Sequence, residues 1–478
     1  MQPTQASFSR PINSNARLRD LSGNAVSGDG LRRAIDTLST HLGAQLPRGS
    51  LVGLYADNSR DWAITDLALQ QAGMVSIPVP GFFTPSQFGQ LLLTYPLHAV
   101  IAPMLPSALA AAGFAATADF SETTSLILCI NRLPVARAHD FRLGSKLTFT
   151  SGSTGDPKGI ALSSDQQWRT ADSLAKALQS LSIKRHLAML PMAVLLENVA
   201  GLYTGLLLGA DIVLPALSEV GLHGSSGFDA KQAIEAINAS EADSIILLPQ
   251  MLRDILFELQ NSGRSVRRLK FVAVGGGKVA QGLIHDARRA GLPLYEGYGL
   301  SEACSVVSLN TPGADRVGSV GKPLAHQSVR IASDGEIEIC QPGEPWLATG
   351  DLGELDKDGF LYVTGRKKNV LITSFGRNVS PEWPESVLQS FSEIAQVMVY
   401  GEAQPQLSAL IVPSQASTTV QQLQAVVDQA NQQLPDYARI GQWHVLEKPF
   451  SVSDGLLTSN GRPRREKIIE FYRSLIPT

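Results

Sequence analysis

Small and hydroxyl-bearing residues surround a single lysine between Thr148 and Ile160, in the stretch TFTSGSTGDPKGI. Glycines allow backbone N–H groups to approach an anion, hydroxyls donate further hydrogen bonds, and Lys158 adds a compact positive charge. These properties together indicate a phosphate-binding loop. The nucleotide-loop pattern G-x-x-x-x-G-K-[ST] does not fit, because Lys158 follows Pro157 and precedes Gly159. On these residues alone, an ordinary surface turn remains an open alternative.

The string TSGSTGDPKGI closely resembles the phosphate loop of the adenylate-forming superfamily. That superfamily includes acyl- and aryl-coenzyme A synthetases, fatty acyl-AMP ligases, peptide-synthetase adenylation domains and luciferases. The resemblance implies that this loop binds the phosphates of ATP and that Lys158 is catalytic. The loop residues that it implies for nucleotide binding are Thr150, Ser151, Gly152, Ser153, Thr154 and Gly155.

A run of three glycines follows the apolar stretch that ends at Val274. Glycines at the carboxyl end of a sheet strand let a ligand approach the backbone, although a tight turn is the alternative interpretation. The position of this run, upstream of a further motif of the same superfamily, favours nucleotide binding. The glycines concerned are Gly275, Gly276 and Gly277.

The segment YEGYGLSEA, residues 295–303, resembles the adenine and metal motif of the superfamily. By that resemblance Tyr298, followed by Gly299, stacks on adenine, Ser301 contacts the α-phosphate, and Glu302 holds Mg²⁺ and is catalytic. Each role suits its residue, since an aromatic face fits a purine and a carboxylate fits a hard cation that bridges phosphates. Ser301 stands where threonine is more usual and keeps the hydroxyl.

Two charged residues flank a predicted hairpin that turns at Asp358-Gly359. Because a hairpin brings its two ends together, Asp351 and Arg366 are predicted to face one ligand. The superfamily resemblance implies that Asp351 binds the two ribose hydroxyls and that Arg366 binds ribose or phosphate, as bidentate charged groups do well. Lys368 matches the position about which the small C-terminal domain rotates between adenylation and thioester formation.

The main departure from the superfamily lies in LTSNGRPRREKI, residues 457–468. Arg462 stands where the superfamily has its C-terminal catalytic lysine, which contacts the carboxylate and ribose during adenylation. Arginine keeps the charge and the reach, but it spreads the charge over a planar fork. Arg462 is therefore predicted to be catalytic, with adenylation retained, weakened or lost as open alternatives.

The string LPMAVLLEN, residues 190–198, is similar to one that lies beside the carboxylate substrate in long-chain acyl-coenzyme A synthetases. Val194 replaces a histidine there, which favours an apolar acid. Leu190, Met192, Leu195 and Leu196 are predicted to be mostly core. The string lacks the aspartate with which peptide-synthetase domains hold an amino acid.

Composition fits a soluble globular protein, with 478 residues, 44% hydrophobic residues and a net charge of −3. No basic block accumulates, so nucleic acid is not an expected partner. Three widely spaced cysteines indicate neither a disulfide framework nor a metal cluster, which favours a reducing cytoplasm. The N-terminal residues lack the apolar region of a secretory signal, so none is predicted. No transmembrane segment is predicted either, because Asp211 ends the most apolar run, residues 199–210, well short of a membrane span.

The order of predicted elements favours an α/β fold with a parallel-rich sheet. Residues 1 to 30 are predicted to be a poorly packed leader, and Leu31, Ile35, Leu38 and Leu42 have helical spacing. Further predicted elements are a strand at 51–55, helix 60–72, strand 75–79, a buried helix over 199–210, strand 244–248, helix 251–260 and strand 269–274.

The resemblance covers about residues 30–478 and implies two domains. Residues 1–367 form a large N-terminal domain with parallel-rich sheets layered with helices. Residues 368–478 form a small, mobile α+β C-terminal domain with predicted strands at 393–399 and 407–412 and helices at 420–434 and 465–475.

The implied activity is ATP- and Mg²⁺-dependent activation of a carboxylic acid to acyl-AMP, followed by transfer to a thiol of coenzyme A or phosphopantetheine. A fatty acid or an apolar aryl acid is the leading substrate class. Two alternatives stay open. One is an acyl-AMP ligase that serves an acyl carrier protein or an amine, and the other is a nucleotide-binding homologue that has lost turnover through Arg462.

Overall fold

The computed structural model describes residues 12–81, 83, 85–119, 124–133, 141–151, 157–224, 227–458 and 463–476. They form two compact units. The first comprises Met1–Ile246, Val266–Phe271 and Leu300–Val306, and the second comprises Leu247–Ser265, Val272–Gly299 and Val307–Thr478.

The first unit contains seven described α-helices and a π-helix, Leu196–Tyr203. The α-helices are α1 (Gly28–Gln45), α2 (Arg60–Gln71), α3 (Pro85–Thr94), α4 (Ser107–Ala111), α5 (Ser164–Leu178), α6 (Thr204–Leu208) and α7 (Ala230–Ser240). Its strands are β1 (Arg17–Arg19), β2 (Ala25–Ser27), β3 (Leu51–Leu54), β4 (Val75–Pro78), β5 (Ala99–Ala102), β6 (Phe114–Asp119), β7 (Ile127–Asn131), β8 (Lys146–Ser151), β9 (Pro157–Leu162), β10 (Arg185–Leu187), β11 (Asp211–Val213), β12 (Leu222–His223), β13 (Gly227–Phe228) and β14 (Ser244–Leu247).

A seven-stranded sheet in the first unit has the order β6-β7-β5-β3-β4-β8-β9. Its central strands β5, β3 and β4 are parallel, whereas β8 and β9 form an antiparallel hairpin. Strands β3, β4 and β5 are buried along their whole length, as expected for parallel strands covered on both faces.

The second unit contains α8 (Pro249–Ser262), α9 (Gln281–Arg289), α10 (Glu382–Leu388), α11 (Val420–Gln432) and α12 (Arg465–Phe471). Its strands are β15 (Phe271–Val274), β16 (Leu294–Tyr298), β17 (Ser308–Leu309), β18 (Lys322–Pro323), β19 (Ser328–Ile331), β20 (Glu336–Cys340), β21 (Leu347–Leu355), β22 (Leu361–Arg366), β23 (Leu371–Ile372), β24 (Asn378–Val379), β25 (Ile394–Tyr400), β26 (Leu407–Pro413) and β27 (Ile440–Val445).

Three local sheets organise the second unit after β18. Strands β19 to β22 form an antiparallel sheet in chain order, β23 pairs with β24, and β25, β26 and β27 form a mixed sheet. Helices α10 and α11 bury apolar side chains in the same core as β25 and β26. The predicted boundary at Lys368 remains a prediction.

The mixed α/β fold that the sequence predicts is confirmed. The four residues with helical spacing all lie on the buried face of α1, and the hairpin around Asp358-Gly359 is formed by β21 and β22. Within the described residues, no helix is long and apolar enough to cross a membrane.

The predicted poorly packed leader is wrong for residues 12–30. This segment forms β1, β2 and the start of α1, and β1 pairs in parallel with β11. Leu18 is fully buried and Ile12 is nearly so. The polar composition concealed these two short strands, because a three-residue strand needs only one inward side chain.

Candidate active site

The β21–β22 hairpin of the second unit places Asp351 directly opposite Arg366 in register. The Arg366 Nε atom lies 2.7 Å from Asp351 Oδ1. The Asp351 side chain is 6% exposed, whereas that of Arg366 is 36% exposed. The hairpin therefore brings together the two residues that the sequence predicted to meet, with the guanidinium on the solvent side.

Tyr298 completes this group from the end of β16. Its hydroxyl donates a hydrogen bond of 2.7 Å to Asp351 Oδ2. Burial, the Asp351 carboxylate and the hydrogen bond to it raise the pKa of Tyr298 far above its ordinary value, so the phenol stays protonated. We refer to Tyr298, Asp351 and Arg366 as the open trio.

Backbone geometry fixes the carboxylate of the open trio. Thr349 donates its hydroxyl to the Ile337 carbonyl and accepts the Asp351 N–H at 3.1 Å. Gly350 adopts a φ of +74°, which favours glycine, and its N–H donates to Glu336 Oε1 at 2.8 Å. Asp351 is thus held in place by its neighbours before any ligand binds.

The three predicted glycines follow β15 in the second unit. Gly276 has a φ of +83°, and a Cβ atom on Gly275 would lie 3.1 Å from the carbonyl oxygen of Gly297. Glycine therefore permits close approach between this turn and β16, the strand that presents Tyr298. Gly299 comes directly after that strand and is half-buried.

Glu296 is a buried acid on β16 that the sequence analysis did not single out. Burial raises the pKa of its carboxyl to about 8, although the Val279 backbone and the nearby Lys278 ammonium act in the opposite direction. At neutral pH this carboxyl is mostly uncharged. In the sequence, the only sign of this buried acid is a single charged residue within the strand, between Leu294 and Gly297.

The predicted phosphate loop lies in the first unit, between β8 and β9. Thr150 pairs with Lys158 and Ser151 pairs with Pro157, so the two strands flank the loop in register. Gly152, Ser153, Thr154 and Gly155 lie outside the described residues, as do the side chains of Thr150, Ser151 and Lys158.

Gly159 on β9 faces Tyr95. A Cβ atom at this position would lie 2.3 Å from the Tyr95 hydroxyl oxygen, closer than two such atoms can approach. The glycine after Lys158 therefore has a packing role. The sequence assigned it only to the loop.

Ser301 and Glu302 lie in a short 3-10 turn, Ser301–Ala303, of the first unit. Glu302 is exposed and Ser301 is half-buried. The next two residues, Cys304 and Ser305, have φ values of +60° and +85°, a conformation that costs non-glycine residues energy. The backbone thus changes direction sharply just after Ser301 and Glu302, the two residues predicted to bind phosphate and Mg²⁺.

A second cation–carboxylate–tyrosine group, in the first unit, escaped the sequence analysis. The Lys146 Nζ atom lies 2.9 Å from the Asp66 carboxylate and 3.0 Å from the Tyr203 hydroxyl. The Tyr203 hydroxyl donates to Asp66 at 2.6 Å. We refer to Lys146, Asp66 and Tyr203 as the closed trio, because their side chains are at most 1% exposed.

The LPMAVLLEN segment is core for the most part, as predicted. Leu190, Met192 and Leu195 are buried, while Leu196 and Val194 are partly exposed. Glu197, which the sequence did not single out, is fully buried.

Glu197 is satisfied by several donors inside the first unit. It accepts N–H groups from Met189 and Leu190, and His186 Nε2 lies 2.7 Å from its Oε1. A Cβ atom on Gly201, one turn further along the π-helix, would lie 2.1 Å from that same Oε1 atom.

Two predicted residues belong to the C-terminal part of the chain. Lys368 lies in an exposed 3-10 turn, Lys367–Asn369. Arg462 falls outside the described residues. Nearby, Arg465 is held by Glu385, with 2.5 Å between Nη2 and Oε2.

Solved structures show that this fold has been observed before. The anthranilate CoA ligase AuaEII in complex with anthranoyl-AMP has a TM-score of 0.79 at 18% identity, covering 98% of this chain and 96% of that one. The O-succinylbenzoate coenzyme A synthetase MenE from Bacillus subtilis, in complex with AMP, has a TM-score of 0.73 at 22% identity, with 95% and 94% covered. At these identities the similarity shows the fold alone.

The sequence itself shows the family. Residues 13–355 match the profile of the AMP-binding enzyme family, and residues 368–478 match the profile of the AMP-binding enzyme C-terminal domain. The chain belongs to the AMP-binding enzyme family. The predicted superfamily membership is confirmed.

Sequence relatives include ligases named for two kinds of acid. The 2-succinylbenzoate–CoA ligase of Bacillus subtilis (strain 168) is 30% identical over 285 residues, which cover 53% of this chain and 55% of that protein. The long-chain-fatty-acid–CoA ligase FadD15 of Mycobacterium bovis is 32% identical over 241 residues, or 42% and 40% of the two chains. The matched stretches thus span about half the length of these relatives.

Proposed function

We propose that this protein activates a carboxylic acid with ATP and transfers the acyl group to a thiol. The acid's carboxylate attacks the α-phosphorus of ATP, the bond to pyrophosphate breaks, and an acyl-AMP forms. A thiol then attacks the acyl carbon and AMP leaves. The observation that carries this proposal is the open trio, whose geometry suits a nucleoside.

The open trio offers complementary groups to a ribose and a base. Asp351 presents two carboxylate oxygens to a pair of vicinal hydroxyls, which suit a bidentate acceptor. Arg366 lies at the exposed end of the same hairpin, and we propose that it turns toward ribose or phosphate oxygens when ATP binds, while Tyr298 keeps Asp351 oriented. The Tyr298 ring adds a flat aromatic face for adenine.

The predicted triphosphate ligands belong to the first unit and remain predictions. Lys158 and the loop hydroxyls are proposed to offset the charge that develops on the departing pyrophosphate. Glu302 is proposed to hold Mg²⁺, because its carboxylate is exposed and carboxylate oxygens suit a hard cation. Bound Mg²⁺ would supply further charge neutralisation.

The acid is proposed to be apolar, either aliphatic or aromatic. Val194 stands where a related string has histidine, and its neighbours in the first unit are mostly apolar and buried. A relative named for a long-chain fatty acid supports the aliphatic subclass. A relative named for 2-succinylbenzoate supports an aromatic ring, and that acid carries a second carboxylate. We therefore keep aryl acids beside fatty acids.

Coenzyme A is the proposed acceptor, because the named relatives are coenzyme A ligases. A carrier-protein phosphopantetheine offers the same thiol and is the alternative. Arg462 favours a further candidate, a nucleotide-binding homologue without turnover, because it replaces a lysine that is implied to be catalytic.

The test is pyrophosphate release from MgATP over a panel of fatty, aryl and amino acids, with hydroxylamine present to trap acyl-AMP. We expect release that depends on a fatty or aryl acid, and consumption of coenzyme A when hydroxylamine is left out. Release without coenzyme A consumption would favour the carrier-protein alternative.

Arg462→Lys should be measured beside the wild type. Folded wild type that binds ATP but releases no pyrophosphate with any acid, together with release by Arg462→Lys, would contradict the enzymatic proposal. It would leave the nucleotide-binding homologue.

A further inference from the structure

The closed trio lies at the start of the strand that leads into the predicted phosphate loop. Lys146 is the first residue of β8, and β8 runs directly to Ser151. Its ammonium has three N–H groups, and three acceptors surround it: the Asp66 carboxylate at 2.9 Å, the Tyr203 hydroxyl at 3.0 Å and the Asn198 side-chain oxygen. No N–H of Lys146 is left for a ligand.

The closed trio joins β8 to three helices of the first unit. Asp66 lies on α2, and Asn198 and Tyr203 lie on the π-helix. Tyr203 stacks on Trp168 of α5, with ring centroids 4.6 Å apart and planes only 2° apart. The ammonium also lies 5.0 Å from the Tyr203 ring centroid, within cation–π range.

Through Tyr203, the closed trio shares an apolar cluster with the residue that follows the Ser301–Ala303 turn. Cys304, two residues after Glu302, is fully buried in one apolar cluster with Trp62, Trp168 and Tyr203. Burial raises the pKa of its thiol to about 12, so Cys304 adds no negative charge. Strand β9 contacts the 301–303 turn as well.

A buried ion pair is weak support for stability as such, because the desolvation of both charges offsets their attraction. An apolar pair of similar volume commonly stabilises a core as well or better. A hydrogen-bonded charged network does favour one arrangement of the elements that supply its members. Among the described residues, the Asp66 Oδ1 atom is the one polar side-chain atom of this trio that lacks a hydrogen-bond partner. In this protein, the expected effect of the closed trio is to fix the positions of β8 and Cys304.

We propose that Lys146 is a positioning residue, which with Asp66 and Tyr203 sets strand β8 and the Ser301–Glu302 turn in the arrangement that ATP binding needs. This inference rests on the proposed function for its catalytic consequence. Its structural part, the joint ordering of β8 and residues 301–306, is measurable without turnover.

Two variants of graded severity test the inference. Tyr203→Phe removes one hydroxyl and keeps the ring stacked on Trp168. The double variant Lys146→Met with Asp66→Asn removes both charges, keeps the shapes and retains an amide that can bond to Tyr203. Lys270→Met is the matched control, because Lys270 pairs with the buried Asp243 at 3.1 Å in the same unit and belongs to neither β8 nor the 301–306 segment.

Hydrogen exchange of backbone amides is the first measurement. We expect both trio variants to accelerate exchange in residues 147–151 and in residues 301–306 together, and Lys270→Met to change neither segment. Unchanged exchange in either segment for a folded double variant would overturn the inference. If Tyr203→Phe alone folds, the same criterion applies to it.

ATP affinity by calorimetry without acid, and steady-state kinetics, give the second measurement. We expect the double variant to bind ATP about tenfold more weakly, as for the loss of one hydrogen bond to a charged phosphate. Its kcat should fall about 10²-fold, as for a small misplacement of reacting groups. The double variant could instead fold and keep both its ATP affinity and its kcat within about twofold of the wild type. That result would contradict the inference and leave the trio a structural role only.

The two proposals fail in different ways. Wild type that releases no pyrophosphate with any acid defeats the proposed function, and the exchange experiment still decides the inference. Active wild type with an equally active double variant defeats the inference and leaves the proposed function intact.

Discussion

Two groups of the same composition lie in the two units of this molecule. Each combines a cation, a carboxylate and a tyrosine whose hydroxyl donates to that carboxylate, at 2.6 Å in the closed trio and 2.7 Å in the open trio. In the closed trio every side chain is buried, whereas in the open trio the Arg366 side chain is 36% exposed. Shared chemistry therefore does not mean shared function, because access to solvent decides whether the group can bind a ligand.

The cation also differs in a way that suits each setting. Lysine is a compact point charge whose three N–H groups are saturated by three acceptors in the closed trio. Arginine carries five N–H donors, of which Arg366 directs its Nε toward Asp351. The two Nη nitrogens of Arg366 carry its other four N–H donors, which suit oxygens of a ligand.

Removing the cation should give the largest difference in stability between variants of the two trios. Lys146→Met leaves the buried Asp66 without its partner and should lower the free energy of unfolding by about 3–5 kcal/mol. Arg366→Met removes a partly exposed charge and should cost about 1 kcal/mol, because solvent screens that pair. Urea titrations of both variants measure the difference, and equal losses would contradict the comparison.

The strand that supplies Tyr298 to the open trio also carries a buried acid, Glu296, which predicts a pH dependence of stability. The Glu296 carboxyl has a folded-state pKa of about 8, raised by burial from an ordinary 4.5. The folded protein therefore binds more protons, so this stabilisation is complete below pH 4.5 and is lost as pH rises through 8. The expected loss is a few kcal/mol, on the order of 1.4 kcal/mol for each pKa unit of the shift.

Glu296→Gln should remove this slope, since an amide does not titrate. Urea titrations at several pH values from 5 to 8.5 measure it, with Glu338→Gln, on a partly exposed ion pair with Arg330, as the matched control. The prediction fails if the stability of the wild type rises from pH 5 to 8.5 and Glu296→Gln shows the same slope of unfolding free energy against pH. Glu296 would then ionise normally.

Removing the carboxylate of the open trio tests its binding role. Asp351→Ala should lower kcat/KM for ATP about 10²-fold, because two charge-assisted hydrogen bonds to ribose are lost. Asp334→Ala is the control, since Asp334, in the turn between β19 and β20, forms an exposed ion pair with Lys367, the residue after β22. If Asp351→Ala kept wild-type kinetics with ATP, the open trio would have no part in nucleotide binding.

The tyrosine hydroxyls give the finest comparison. Tyr203→Phe should cost about 1–3 kcal/mol of unfolding free energy, because buried partners are left unsatisfied. Tyr298→Phe should cost about 1 kcal/mol at most, because water can reach the half-buried site. Thermal melts of the two variants, run side by side, would contradict this order if Tyr298→Phe were the less stable.

Most of the fold, and the meeting of Asp351 and Arg366 in the open trio, could be predicted from the sequence. Periodic apolar residues predicted α1, and the Asp358-Gly359 turn predicted that Asp351 and Arg366 would meet, because a hairpin fixes register over a short span. The roles proposed for Lys158, Ser301, Glu302 and Arg462 came from resemblance and stay predictions.

The closed trio could not be predicted, for a physical reason. Asp66 and Lys146 are 80 residues apart, and a lone charge in an apolar stretch does not name its partner. Pairing between them depends on the order of β4 and β8 in the sheet, which local pattern does not encode. The strands at residues 17–27 were missed because they contribute so few buried side chains.

The contact between Gly201 and Glu197 has a consequence for sequence variation. A Cβ atom at residue 201 would overlap Glu197 Oε1 at 2.1 Å and approach His186 Nε2 at 2.6 Å. Even alanine would force the carboxylate away from the imidazole and from two backbone N–H groups. In a saturation library selected for folded protein, residue 201 should return glycine alone, although its own φ is ordinary for any amino acid.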